Sequence, residues 1–150
     1  MKKSPIFAKT ENGVVQIVIV EEEESLAQTR KMILEQVLSS QLGKTVEVLV
    51  FSNGSEMETF LLGYNEKIDL FAIDWNTQLE TGWSIYGRLK KYRGCEQVPA
   101  IFTSGYWDEN DIDALKKQHP EKHIDFLANS GDPVAIETFL TSVKNLINLM

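Results

Sequence analysis

Short apolar runs alternate with longer amphipathic stretches along this chain, and the alternation occurs five times. The runs predict strands over Val15–Val20, Thr45–Phe51, Asp69–Ile73, Pro99–Thr103 and His123–Leu127, each near the usual strand length. Strands alternating with helical patterns imply crossover connections, and hence a parallel sheet with helices on both faces.

The intervening stretches carry helix punctuation. Ser25 with Gln28 and Ser55 with Glu58 have capping-box spacing, the first ahead of Leu26, Ile33 and Val37, the second ahead of Met57, Phe60 and Leu61. Trp83, Ile85, Tyr86 and Leu89 lead to Gly94 as a C-terminal stop, with Trp83 and Tyr86 read as core. Asp108 is expected to cap a helix through Ile112 and Leu115, and Asp132-Pro133 reads as an N-cap with a first-turn proline. The stripe Ile136, Phe139, Leu140, Val143, Leu146 and Ile147 predicts the last helix.

A strand covered on both faces is apolar throughout, whereas an edge strand tolerates polar side chains. Val18 to Val20, Leu70 to Ile73 and Ala100 to Phe102 therefore predict central strands, while Thr45 and Glu47, and His123 and Asp125, mark the second and fifth as edges. The order 2-1-3-4-5 satisfies this pattern with right-handed crossovers. The expected fold class is α/β, a doubly wound five-stranded parallel sheet, formed by one domain over 14–150 behind a polar tail at 1–13.

At 150 residues, 43% hydrophobic and 25% charged, the chain has the make-up of one folded domain, which excludes disorder and collagen-like structure. Its 15 Lys and Arg against 22 Asp and Glu leave a net charge of −7, a poor field for a phosphate backbone, so no direct nucleic-acid partner is expected. The single cysteine, Cys95, cannot form an intramolecular disulfide and suggests a reducing, cytoplasmic setting. Ile6 to Ala8 falls short of a signal-peptide core and no apolar run approaches a bilayer span, so neither secretion nor membrane insertion is expected.

Ligands of a doubly wound sheet gather outside the carboxyl ends of its central strands. The first strand runs into Glu21-Glu22-Glu23-Glu24, the third into Asp74-Trp75-Asn76, and the fourth ends at Thr103-Ser104. With strands one and three adjacent, Glu21, Glu22 and Asp74 would meet at one rim. Their mutual repulsion favours a proton or a cation there, and hard oxygen ligands suit Mg²⁺. The plainer readings are a solvated acidic turn for the glutamates, a loop cap for Asp74 and a satisfied strand-end hydroxyl for Thr103. Four glutamates would repel a bare phosphate, which argues against a flavin loop. Pro120 separates His119 from His123 and argues against a shared helical metal face. Tyr106 and Trp107, after Gly105, read either as a binding surface or as packing under a helix.

These pieces, in this order, resemble the receiver domain of bacterial two-component response regulators, a flavodoxin-like fold, over nearly everything from Val15 to the C-terminus. The resemblance is carried by Ile17-Val18-Ile19-Val20 before the acidic pair Glu21-Glu22, by Asp74 closing the third strand, by Thr103 closing the fourth and by Phe126 in the fifth. Asp74-Trp75-Asn76, with Gly82 eight residues past the Asp, is similar to the phosphorylation-site segment of chemotaxis-type receivers.

The resemblance implies a single-domain phosphorelay component rather than an enzyme, capable at most of self-phosphorylation and self-dephosphorylation. Asp74 would accept a phosphoryl group from a histidine kinase or phosphotransfer protein. Glu21, Glu22, Asp74 and the Asn76 backbone carbonyl would hold Mg²⁺. Thr103 would be the switch hydroxyl and Phe126 the switch aromatic, on a face made by the fourth helix, fifth strand and fifth helix where a downstream protein partner docks. Three departures stand beside it. Asn129 and Ser130 occupy the place of the usual Lys and Pro, and no nearby Lys or Arg, including Lys116, Lys117 and Lys122, is expected to substitute. Glu22 stands where Asp is common, adding a methylene to a site for an ion of strict geometry. Gln78 stands where Pro is usual. They define the alternative, a degenerate pseudo-receiver that binds its partner independently of phosphorylation.

Overall fold

The computed structural model describes residues 13–77, 79–92, 94–128 and 133–148. Its five strands are β1 (Val15–Val20), β2 (Val46–Phe51), β3 (Leu70–Asp74), β4 (Ala100–Ser104) and β5 (Ile124–Ala128). They form one parallel sheet in the order β2-β1-β3-β4-β5. The doubly wound order expected from the polar edge strands is the one observed. The second strand begins one residue later than predicted, and the third to fifth are each shifted one residue towards the C-terminus. Pairing sets these ends: Phe71 N–H bonds to the Pro99 carbonyl before β4 starts, and the ladder runs on to pair Asp74 with Thr103 and Ser104 with Ala128.

Helix α1 is one continuous run in three pieces, α-helical Glu24–Ile33, π-helical Leu34–Leu38 and α-helical Ser39–Leu42. It is followed by α2 (Gly54–Leu61), α3 (Gly82–Leu89), α4 (Glu109–Gln118) and α5 (Pro133–Ile147). Leu34 and Leu38 of α1 pack with Phe139, Leu140, Val143 and Leu146 of α5 on one sheet face, beneath Ile17, Ile19, Leu70, Ala72 and Ile101. Met57 and Leu61 of α2 and Ile85, Tyr86 and Leu89 of α3 cover the other face, with Phe71, Phe102 and Phe126. Ile112 and Leu115 of α4 pack against that second core.

Several helix ends differ from the pattern-based expectation. Glu23, not Ser25, precedes α1, with no side-chain cap, and the Ser25 hydroxyl turns to Glu23 instead. Asn53 caps α2 by accepting from the Glu56 N–H at 2.8 Å, so the Ser55 and Glu58 pairing does not form; Glu58 is engaged by Arg88 at 2.8 Å. Helix α3 closes at Lys90, well before Gly94. Val37 is exposed while Leu38 is buried, because the buried stripe runs through Ala27, Arg30, Leu34 and Leu38, one position on from the predicted Leu26, Ile33 and Val37. Asp108 caps α4 in a reciprocal capping box with Asp111, as expected. The Asp132 cap lies outside the described residues.

Gly43, at φ 65°, ends α1 in the left-handed conformation that glycine adopts without steric cost. The exposed edge of β2 is partly covered by α1: Lys31 Nζ donates to the Val48 carbonyl at 2.7 Å and Glu35 accepts from the Val48 N–H at 2.9 Å.

Candidate functional site

Side chains alternate along a strand, so each face can be extrapolated to the rim. Ile17 and Ile19 of β1, Leu70 and Ala72 of β3 and Ile101 of β4 face α1 and α5. The next residues of the same parity are Glu21, Asp74 and Thr103. Asp74 and Thr103 are ladder partners, so their backbones lie about 4.8 Å apart.

Glu21 is buried, and its Oε1 has no hydrogen-bond partner. Burial, reinforced by the charge of Asp74, pushes its carboxyl up to about 7. Asp74 is half-buried; burial and the nearby Glu22 charge raise it, opposed by the Asn76 N–H that donates to Oδ1 at 3.1 Å. Glu22 has the parity of Val18 and Val20. It is exposed and borders a separate groove of about 280 Å³ with Asn53, Thr77 and Glu80. The acidic trio thus shares one electrostatic neighbourhood without converging on one point. Among the described residues no three acidic, His or Cys side chains are gathered so as to hold a metal ion.

The loop after Asp74 is tightly held. The Trp75 N–H donates to the Thr103 carbonyl at 2.8 Å, and the Asn76 side chain donates to Ser104 Oγ at 2.7 Å. Gly82, at the start of α3, packs so closely on this turn that a Cβ there would lie 2.7 Å from the Asp74 carbonyl oxygen. Arg88 joins Glu80 of the loop to Glu58 of α2. Trp75 itself lies against Phe102, Trp107 and Phe126 on the opposite sheet face, and Phe126 stacks on Phe102 with ring centres 5.5 Å apart. Trp107 is therefore packed, while Tyr106 is 85% exposed. The His119 ring lies 4.0 Å from that of Trp83, and Cys95 is buried with its thiol pushed up to about 12, both packing roles.

A cation not named from the sequence lies at this rim. Arg30 of α1 is buried, with Nη1 3.3 Å from Thr103 Oγ1 and 3.7 Å from Glu21 Oε1, and its guanidinium lies over the Phe139 ring. The signal was present in the sequence as a charged residue on the apolar stripe with Ala27, Leu34 and Leu38. Ser104, named in the sequence only as a strand end, is fully buried and accepts from both the Asn76 side chain and the Tyr106 N–H. Asn129, Ser130 and Gln78 lie outside the described residues.

No protein-family model matches the sequence, and no curated protein matches it. Solved structures do. The non-phosphorylated HemR receiver domain from Leptospira biflexa superposes with a TM-score of 0.67 at 20% identity, covering 91% of this chain and 96% of that one. A response regulator receiver domain protein from Clostridium thermocellum gives 0.65 at 22% identity over 90% and 95%. The Mn²⁺-bound form of the response regulator Rcp1 gives 0.63 at 15% identity over 87% and 91%. With the sheet order and the layers of helices, these matches establish that the chain has the fold of response regulator receiver domains.

Proposed function

We propose that this domain is a phosphoacceptor in two-component signalling, with Asp74 as the acceptor. The observation that carries the reading is the placement of Asp74, Glu21 and Thr103 on one face of the carboxyl rim, with Asp74 and Thr103 paired in the ladder. A carboxylate oxygen of Asp74 forms a bond to phosphorus as the P–N bond of a donor phosphohistidine breaks. The electron pair leaves on the imidazole nitrogen, which takes up a proton. Charge on the transferring oxygens must be met by positioned donors, which is most of what phosphoryl transfer asks of a protein. Thr103, in register with Asp74, offers a hydroxyl on that face. Glu22 would have to swing inward before a divalent ion could be shared with Glu21 and Asp74. The downstream protein partner is assigned to the groove of about 480 Å³ between α4 and α5 beside β5, which is bordered by Lys116, Asp125, Val134 and Ser142.

The divergence of Glu22 favours the second reading, a pseudo-receiver that binds its partner without phosphorylation. Incubation with phosphoramidate and Mg²⁺ followed by intact mass separates the two. The phosphoacceptor reading expects a mass gain of one phosphoryl group, absent in Asp74→Asn; no gain under forcing conditions leaves the pseudo-receiver.

A further inference from the structure

Arg30 is the charged member of the buried stripe of α1, 9% exposed, among Ala27, Leu34 and Leu38. Helix–sheet packing alone would fill that position with an apolar side chain, since an ion taken out of water is costly unless it is paired. Its neighbours include the site residues: Thr103 Oγ1 at 3.3 Å, Glu21 Oε1 at 3.7 Å and, through the field, Asp74. Arg30 and Thr103 also border a cavity of about 80 Å³ whose other walls include Leu26, Leu127, Ala128 and Phe139. Such walls keep the local dielectric low and strengthen charge interactions.

A guanidinium presents five donors in a planar fork that matches the oxygens of a phosphoryl group, and it remains a cation when buried. Nη1 already touches the hydroxyl of the residue in register with Asp74. A phosphoryl group on Asp74 therefore falls within its reach. We infer that Arg30 is the anion-coordinating residue of this pocket. At rest its guanidinium faces Glu21; when Asp74 carries phosphate, Nη1 turns from the Glu21 carboxylate to a phosphoryl oxygen while Thr103 bonds a second. A helix residue thereby supplies the positive charge at a rim where the sequence has Asn129 and Ser130 after the fifth strand. The inference rests on Asp74 as the phosphoacceptor.

The test uses the full chain and the variants Arg30→Met, Arg30→Gln and Arg30→Lys, with melting curves to establish that each is folded. Phosphoramidate labelling in Mg²⁺ should give Arg30→Met and Arg30→Gln a phosphorylated-state lifetime or yield about tenfold or more below wild type, with Arg30→Lys in between. Should Met fail to fold, Gln decides, since it removes the charge while leaving a polar amide, shorter than the guanidinium, in the helix–sheet seam. Equal yield and lifetime in wild type and the neutral variants overturns the role of Arg30 and leaves the phosphoacceptor standing. If wild type takes no label, the phosphoacceptor reading falls. Arg30 is then judged by inorganic phosphate titrated against the Thr103 and Asn76 amide resonances. Shifts in wild type that are lost in Arg30→Gln support an anion site; identical responses, or none, overturn it.

Discussion

At the amino-terminal rim of the sheet, Asp69 accepts from the Gln16 backbone N–H at 2.8 Å and pairs with Lys67 at 3.2 Å, while the Gln16 side chain donates to Glu47 and Glu66. At the carboxyl-terminal rim, Glu21 is more deeply buried, its Oε1 accepts no hydrogen bond, and the cation facing it stands at 3.7 Å. Both rims are rich in carboxylates. At one, Asp69 closes the backbone accounting of β1 and contributes to stability. At the other, carboxylates are held near each other under mutual repulsion, which costs stability and preserves chemistry. Acidic composition alone does not distinguish the two; satisfaction of the carboxylates does, since the buried oxygen without a partner at the first rim is the neutral Gln16 amide Oε1 and at the second the Glu21 carboxyl Oε1.

The contrast yields tests of graded size. The largest is a dependence on pH. The folded-state value of Glu21, about 7, lies above its ordinary 4.5, so the native state binds more protons than the unfolded state between these limits. Stability in metal-free buffer should therefore be greatest at the acid end and fall as pH rises from about 4.5 to 7, by up to ~3 kcal/mol, with the raised Asp74 acting in the same sense. Urea titrations across that range should show the slope in wild type and a flatter profile in Glu21→Gln; parallel profiles would refute the assignment.

Asp69→Ala at the opposite rim leaves the buried Gln16 N–H without its acceptor and should cost ~1–3 kcal/mol at neutral pH, with phosphoramidate labelling unchanged once folded. A loss of labelling out of proportion to unfolding would erase the division between the rims. Gly82→Ala drives a methyl into the Asp74 carbonyl and should cost ~1–3 kcal/mol while also displacing the acceptor loop, so chemical denaturation and labelling should both register it. The smallest effect is expected from Asp108→Ala. This acidic residue lies after β4, but its carboxylate is engaged in capping α4, so stability should drop by ~1 kcal/mol with labelling intact.

Legibility followed the range of the interaction. Short apolar runs made the strands readable, and the polar residues Thr45, Glu47, His123 and Asp125 marked the edges, because burial on two faces excludes such side chains. Side-chain alternation along the paired third and fourth strands puts Asp74 and Thr103 on one face. It also separates Glu22 from Glu21, a consequence that the acidic-pair pattern obscured. Caps were less readable. Asp108 obeyed its local spacing, but Glu58 was claimed by Arg88 of another helix, an ion pair across 30 residues that outcompeted a local one.

What the chain determined by itself is the fold class, the sheet order and the set of carboxylates and hydroxyls at the carboxyl rim, since these follow from local periodicity and from which strands tolerate polar residues. Tertiary structure alone decided the partners of those groups. Arg30 reaches Thr103 across 73 residues because the packing of α1 against the sheet points a buried side chain at the rim. Its direction follows from helix rotation and strand register together, and neither is written in the spacing of nearby residues.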